Sequence, residues 1–175
     1  MKAISLLQPW ASLCVHTDEN GKALKQIETR SWNTKHRGDL LIHASMGKKH
    51  LKDSVSNMYE FMNNSVYGEF MSGTLPFGAI IGKVNLVDTF PTNDQFLMDS
   101  DGIFMTDKNG TATNNWSFTE QELAFGDYSP NRFGWLLSYP ILFKEPIPCK
   151  GQLSIWNVPN ELLEAVNHQI QIATS

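Results

Sequence analysis

The stretch "FGAIIGKVNLVDTF", residues 77–90, is the clearest strand pattern in this chain. Its side chains alternate with the two-residue period of a β-strand, in which neighbouring residues point to opposite faces. The alternation predicts one face made of Ile80, Gly82, Val84 and Leu86 and another made of Ile81, Lys83, Asn85 and Val87. A single strand needs hydrogen-bonded neighbours, so the fold depends on what the flanking sequence offers.

Further strands and short helices are predicted on both sides of this stretch. The predicted strands are the start of 2–16, "KQIETRSW" (25–32), "DLLIHAS" (39–45), two strands broken at Pro140 within 133–148, and "SIWNVP" (154–159). Helices are predicted after Pro9, over 48–64, at the start of 119–132, and over 160–173 with Asn160 as N-cap. Strands and helices do not alternate regularly, so the predicted class is α+β, with a small mixed or antiparallel β-barrel and flanking helices.

The composition is that of an ordinary globular domain, with 175 residues, 41% of them apolar and 18% charged. No apolar run approaches the roughly 20 residues that span a bilayer, so no membrane interaction is expected. The N-terminal stretch lacks the features of a signal peptide, and we expect a cytoplasmic location with Cys14 and Cys149 as free thiols, although the two could pair. The sequence has no clustered Cys/His pattern that would predict a metal site, and no cofactor is expected.

The net charge of −4 argues against binding long duplex DNA through bulk charge, because phosphate neutralisation needs clustered Lys and Arg. The charge is nevertheless unevenly distributed. Eight of the 14 Lys and Arg residues lie between residues 22 and 52, whereas acidic residues gather between 88 and 127. A local basic site in the first third of the chain is therefore compatible with the sequence.

Three charged residues lie on the predicted strand "KQIETRSW". Alternation places Gln26, Glu28, Arg30 and Trp32 on one face, and Lys25, Ile27 and Thr29 on the other, with Ile27 as the core anchor. One interpretation is a solvated outer face with a Glu–Arg ion pair of about 0.2–1 kcal/mol. The other is the wall of a ligand site. The alternation by itself favours the solvated face.

Other polar and aromatic residues allow a functional and a structural interpretation. A lone strand histidine such as His43 is more often structural, and Ser45 lacks the context of a serine nucleophile. The residues of the loop "FGDYSPNR" either serve only to form turns, or they line a polar opening of the barrel. In the second case Tyr128 stacks on a ligand and Arg132 contacts an anion. Trp10 and Trp32 are next to polar clusters and could stack on a base.

Five blocks in order resemble the ASCH (activating signal cointegrator homology) domain family. They are "SLLQPWASLCV" (5–15), "KQIETRSW" (25–32), "RGDLLIHAS" (37–45), "GDYSPNRFGWLLSYP" (126–140) and "KGQLSIWNVP" (150–159). The resemblance covers residues 3–159 apart from 91–116, and it implies a PUA-type β-barrel with flanking helices. It divides the chain into an ASCH domain over 1–159, with a surface insertion at about 91–116 that could hold a short helix, and a C-terminal helix over 160–175 packed on the same domain.

The resemblance also implies a ligand class, since ASCH domains are thought to bind RNA or modified nucleosides in a cleft. The family hallmark G-x-K-x-x-E-x-R falls here on Lys25, Glu28 and Arg30, with Ala23 in place of the Gly. Some relatives are enzymes: one branch hydrolyses N4-acetylcytidine with a Lys, a Thr and a Glu, and another is described as a ribonuclease. Glu28 stands where the deacetylating branch has Thr.

The leading hypothesis is an RNA- or nucleoside-binding domain, with Glu28 accepting from an exocyclic amine and the cations Lys25 and Arg30 meeting a phosphate. One alternative is a hydrolase of RNA or a modified nucleoside, in which a desolvated Lys25 attacks and Glu28 moves a proton. A second alternative is a protein-interaction adaptor that uses residues 91–116. The predicted ligand-binding residues are Gln8, Trp10, Lys25, Glu28, Arg30, Trp32, His43, Ser45, Asp127, Tyr128 and Arg132.

Overall fold

The computed structural model describes residues 1–49, 51–62, 64–114 and 116–175, with Asn64 described by its backbone alone. The strands are β1 (Lys2–Leu6), β2 (Ile27–Arg30), β3 (Gly38–Ala44), β4 (Ala79–Pro91), β5 (Phe96–Asp99), β6 (Gly102–Met105), β7 (Phe133–Pro148) and β8 (Ile155–Asn157). The α-helices are α1 (Trp10–Val15), α2 (Leu51–Met58), α3 (Asn64–Ser72), α4 (Glu120–Phe125) and α5 (Leu163–Thr174).

Six strands form one mixed sheet in the order β2-β7-β4-β3-β1-β8, and this sheet curls into a half-barrel. β1 and β3 pair in parallel, whereas the other neighbouring strands of the sheet pair antiparallel. Helix α1 packs Ala11, Cys14 and Val15 against one face, in the core that contains Ile42 and Trp135. Helix α5 packs against the opposite face. The predicted α+β class with flanking helices is therefore confirmed, and the predicted small barrel takes the form of a curled half-barrel of mixed strands.

Strand β4 does not keep the alternation that its sequence predicts. Ile81 lies in the same core cluster as Val84 and Leu86, whereas Ile80 lies in the cluster on the other face. The ladder to β7 shifts register between Ile80 and Gly82, and again between Lys83 and Asn85. A β-bulge leaves an extra residue unpaired and interrupts the regular alternation, and the two faces predicted for residues 80–87 were wrong.

Strand β7 runs through Pro140, where the sequence predicted a break. Tyr139 adopts a φ of 49°, and the ladder passes from Asn85–Ser138 directly to Lys83–Ile141. Pro140 therefore lies inside a bulge, where its missing N–H costs no ladder hydrogen bond. Opposite this bulge, a Cβ at Gly82 would collide with the carbonyl oxygen of Ile141 and with the side chain of Val15. Gly82 thus allows β4, β7 and α1 to approach closely.

The helix predicted over residues 48–64 is shorter than expected. Helix α2 ends at Met58 and is followed by a 3₁₀ turn over Tyr59–Phe61, and a separate helix α3 follows that the sequence had not predicted. His50 and Asn63, which the prediction included, lie outside the described residues. The buried faces of α2 and α3 form a core cluster with Leu13 and Phe125.

The excursion over residues 91–116 contains the hairpin β5–β6. The possible short helix was wrong, because the described residues of this segment contain no helix. Its apolar side chains form a core cluster with Ile27 and Tyr128; Asn115 lies outside the described residues. The last helix begins at Leu163 after a 3₁₀ turn over Asn160–Leu162, so Asn160 is not its N-cap. Across the described ranges, no helix combines the length and the apolarity that a bilayer crossing requires.

Candidate functional site

Lys25 lies directly before β2, and only 1% of its surface is exposed. Its backbone N–H donates to the Leu13 carbonyl at 2.9 Å, which ties this residue to helix α1. The predicted alternation placed Lys25 and Glu28 on opposite faces of a strand. That placement is wrong, because the strand begins only at Ile27 and the Lys25 side chain turns toward Glu28.

Three acceptors surround the buried ammonium group of Lys25. Its Nζ donates to the Ile27 carbonyl, and it lies 3.8 Å from Oε2 of Glu28 and 3.7 Å from Oε1 of Glu122. An ammonium has three N–H donors and must be paired when it is removed from water. The two carboxylates and one carbonyl meet that requirement, so Lys25 joins β2 to helix α4 electrostatically.

Glu122 is the site residue that the sequence analysis missed. It occupies the third position of helix α4 after the N-cap Thr119, whose hydroxyl accepts from the Glu122 N–H at 3.0 Å. In a capping box a glutamate at this position turns back to the N-cap N–H. Here the carboxylate instead accepts from the N–H groups of Gln26 at 2.7 Å and Ile27 at 3.0 Å. The T-x-x-E pattern was visible, but it predicts a helix cap and not a long-range ion pair.

Burial shapes the electrostatics around Glu122. Desolvation raises the pKa of Glu122, while the Lys25 charge and the two backbone N–H groups oppose that rise. The pKa of Tyr128 is also raised well above its usual value, first by burial and then by the charge of Glu122. Tyr128 is therefore a neutral phenol whose hydroxyl donates to the Glu122 carbonyl at 3.4 Å.

Glu28 connects the buried ion pair to the surface. Only 8% of the residue is exposed, and Nη1 of Arg30 lies 3.5 Å from its Oε1. The Arg30 guanidinium in turn lies 5.7 Å from the centre of the Trp32 ring, which packs edge-on against Trp135. Two cations thus flank the Glu28 carboxylate and stabilise its negative charge.

A cleft of about 300 Å³ opens beside Glu28. Its lining residues come from α1, β2 and the segment from α4 to β7, and they are Trp10, Glu28, Thr29, Ala124, Phe125, Gly126, Asp127 and Arg132. The Trp10 Nε1–H donates to the Phe125 carbonyl at 2.9 Å, which holds the indole in place. The structure therefore brings four of the predicted residues, Trp10, Glu28, Asp127 and Arg132, to one concave surface.

Arg132 is held at the rim of this cleft by three oxygen atoms. Its Nε donates to the Asp127 carbonyl at 3.1 Å and lies 3.2 Å from Oδ2 of the same residue. One Nη donates to the Thr29 carbonyl at 3.3 Å. A guanidinium has five N–H donors, so this arrangement fixes its position and leaves donors for a ligand.

Several predicted site residues lie away from this cleft. Gln8 is buried and bonds Ser12 and the Pro76 carbonyl. Tyr128 is packed edge-on between Phe96 and Phe118 and offers no open face.

His43 and Ser45 lie on the other side of the sheet. Glu28 is paired directly with Trp135, in the core cluster that includes Ile42, whereas His43 follows Ile42 and packs against Trp156 in the opposite cluster. Side chains of neighbouring strand residues point to opposite faces. His43 and Ser45 therefore cannot share a ligand with Glu28 in this structure.

No family model matches the chain. The chain is 27% identical over 162 residues to activating signal cointegrator 1 of mouse and to the human protein of the same name. Each match covers 91% of this chain, which spans only 22% of the length of these curated relatives.

Among solved structures, ASCH from Zymomonas mobilis is similar with a TM-score of 0.48 and 14% identity, over 95% of this chain and 93% of that one. A serine-to-alanine mutant of that bacterial protein gives a TM-score of 0.47 at 15% identity, over 95% and 94% of the two chains. The sequence match to activating signal cointegrator 1 covers most of the chain, and the α+β half-barrel is the expected architecture. On these grounds, the chain carries an ASCH domain.

Proposed function

We propose that this ASCH domain binds RNA by taking one nucleoside into the cleft beside Glu28. The observation that supports this most is the buried carboxylate itself, flanked by Lys25 and Arg30 and facing a cleft of about 300 Å³. Ligand clefts in proteins have volumes of roughly 300–1,000 Å³, so a single nucleoside is the appropriate size class. The same domain carries two free thiols, which is why we propose the reducing cytoplasm as its compartment.

Each group at the cleft has a role suited to a nucleoside. The Trp10 indole offers an aromatic face for a base, as aromatic side chains do in single-stranded RNA recognition. The Glu28 carboxylate has acceptors only, so it selects an exocyclic amine. The free N–H donors of Arg132 are suited to a phosphate oxygen at the rim.

This chemistry predicts discrimination between bases. Cytosine, adenine and guanine carry an exocyclic amine, whereas the corresponding position of uracil is a carbonyl that repels a carboxylate. The buried Lys25 does not contact the ligand in this proposal. Its role is to stabilise the charge of Glu28, which otherwise would be a costly buried carboxylate.

A matched set of variants tests the binding role. Fluorescence of tryptophan, or fluorescence anisotropy of labelled RNA 5-mers, would give dissociation constants for oligo-C and oligo-U. We expect Glu28→Gln to weaken oligo-C binding about tenfold or more, because one well-made base contact contributes roughly 1–3 kcal/mol. Asp39→Asn, at an exposed ion pair with Lys83, is the control and should leave the affinity unchanged. Equal affinities of the wild type and Glu28→Gln for oligo-C would rule out the role of Glu28.

A hydrolase is the second candidate, and the position of Glu122 favours it. The Lys25 ammonium lies between two carboxylates, one of them with a pKa raised by burial, which is an arrangement that can move protons. Incubation with N-acylated cytidine and with short RNA, followed by product analysis, would distinguish the two. Turnover that is lost in Glu122→Gln but retained in Asp39→Asn would establish the enzyme, whereas binding without turnover supports the RNA-binding role.

A further inference from the structure

A second cavity of about 400 Å³ lies at the end of β3, on the face of the sheet opposite to Glu28. The ends of β1 and β3, together with the segment that joins β7 to β8, form its wall. Its lining residues are Ser5, His43, Ser45, Met46, Cys149, Lys150, Gly151, Gln152 and Leu153. None of these residues lines the cleft beside Glu28. The cavity is therefore separate from the site of the proposed function.

The histidine of this cavity has a ring nitrogen without a hydrogen-bond donor. His43 is 2% exposed, and its Nε2 lies 3.1 Å from the Cys149 carbonyl oxygen. A carbonyl only accepts, so Nε2 carries the proton and Nδ1 has a free lone pair. Burial lowers the pKa of His43, which favours this neutral form. Nδ1 is buried and has no hydrogen-bond partner, although buried polar atoms are normally paired.

Ser45 supplies a second unmatched polar atom in the same cavity. Its backbone N–H donates to the Leu6 carbonyl at 2.8 Å, but its buried hydroxyl oxygen has no hydrogen-bond partner. Two buried polar atoms without partners in one cavity are what a ligand with hydrogen-bonding groups would satisfy. A ligand N–H or O–H donor is required at His43, whereas the Ser45 hydroxyl can either donate or accept.

The mouth of the cavity is apolar with one positive charge. Met46 is 70% exposed and Leu153 is 93% exposed, so two large apolar side chains stand in solvent beside the polar pair. Lys150 is the charged residue in the lining, and no acid accompanies it there. Apolar flanks suit a flat heterocycle, and the ammonium suits an anion attached to it.

Gly151 shows how closely the wall fits around His43. A Cβ at this position would lie 2.5–2.6 Å from atoms of the His43 ring and from the Ser5 hydroxyl. Only glycine allows the segment after β7 to lie against the imidazole at this distance. The ring is thus packed between Gly151 and Trp156, and a ligand reaches its buried Nδ1 when the segment around Gly151 shifts.

We propose that this cavity is a second nucleotide site, which takes a heterocyclic base between Met46 and Leu153 and its phosphate at Lys150. A base N–H pairs with Nδ1 of His43, and the Ser45 hydroxyl completes the polar contacts. The ligand is either a free mononucleotide or one nucleotide of an RNA strand, since both carry this chemistry. The site stands on its own geometry, so it can be correct even if the cleft beside Glu28 binds nothing.

NMR titration with AMP, GMP, CMP, UMP, adenosine and an RNA 5-mer tests the proposal. The readouts are the ring nitrogens of His43 and the methyl groups of Met46 and Leu153. We expect AMP to shift these signals and to bind about tenfold more tightly than adenosine, as a charge-assisted phosphate contact implies. In Lys150→Gln that tenfold difference should disappear. Shifts caused by the 5-mer but not by mononucleotides would assign the site to an RNA strand.

Two exposed variants protect the test from misfolding. Leu153→Ala changes a side chain that is 93% exposed and should weaken AMP binding, whereas the matched Leu142→Ala, also exposed, should not. In Glu28→Gln, AMP should shift the His43 signals as it does in the wild type. This result would show that the cavity at His43 binds independently of the cleft beside Glu28. His43 signals that move neither with millimolar mononucleotides nor with the 5-mer would overturn the proposal. So would a Leu153→Ala effect confined to self-association, because that would make the patch a protein contact.

Discussion

Replacing Lys25 by Met tests whether the buried ion pairs hold the candidate site together. The substitution keeps the length and apolar stem of the side chain and removes only the ammonium. It leaves the carboxylates of Glu28 and Glu122 within a buried region without their shared counter-ion. Removing one partner of a buried ion pair costs about 3–5 kcal/mol, because the remaining charge is uncompensated.

A loss of that size is large against the roughly 5–15 kcal/mol by which domains are stable. For a domain of this length each kcal/mol corresponds to about 2–4 °C, so we expect the Tm to fall by roughly 6–20 °C. Urea unfolding at pH 7 would measure the free energy directly. Lys83→Met is the control, because the Asp39 partner of Lys83 is half exposed and such a pair contributes only about 0–1 kcal/mol.

A double variant identifies the cause of the loss. In Lys25→Met/Glu122→Gln one of the two uncompensated charges is gone, so part of the lost stability should return. The refuting result is a Lys25→Met loss no larger than that of Lys83→Met. It would mean that water or a local rearrangement solvates the two carboxylates, and that the ion pairs do not organise the site.

Three further predictions concern the same framework. Thr119→Ala removes the N-cap of helix α4 and should cost about 1 kcal/mol in urea unfolding, with Thr174→Ala at the chain end as a neutral control. Gly82→Ala should lower the Tm more than Gly68→Ala, because a Cβ at residue 82 meets backbone and side-chain atoms whereas a Cβ at residue 68 meets open space. Burial lowers the pKa of His43 in the folded state below the ordinary value of 6.5. The contribution of the neutral imidazole to the free energy of unfolding is therefore complete above pH 6.5, and it is lost as the pH falls through the pKa of the folded state. Wild type should therefore lose stability relative to His43→Gln on acidification, and parallel pH profiles would contradict this.

The sequence predicted the class of the fold because strand and helix patterns are local properties. The α+β class and the existence of β1, β3 and β8 followed from alternation and turn residues. The face assignment of β4 and the break at Pro140 failed for a common reason. Both depend on bulges in the ladder between β4 and β7, and a bulge is set by the pairing of two distant strands.

The candidate site was likewise predicted in part, and the parts that were missed depend on contacts between distant residues. The proximity of Trp10, Glu28 and the loop before β7 was anticipated from the ordered blocks of the ASCH resemblance. Glu122 was missed because its partners, Lys25 and the N–H groups of Gln26 and Ile27, are about a hundred residues away in sequence. His43 and Ser45 were assigned to the same ligand as Glu28, although they lie on the other face of the sheet. The sequence does not show which face of β3 lies on the same side as Glu28 of β2, because that depends on strand order and on how the sheet curls.

A crystal structure of the domain with cytidine 5′-monophosphate would show whether the cleft beside Glu28 binds a nucleoside. We expect the base to lie against Trp10, with its exocyclic N4 at about 3 Å from a Glu28 carboxylate oxygen and with Lys25 still buried. A nucleotide bound elsewhere with the Glu28 cleft empty, or a base in the cleft with its amine turned away from Glu28, would contradict this expectation.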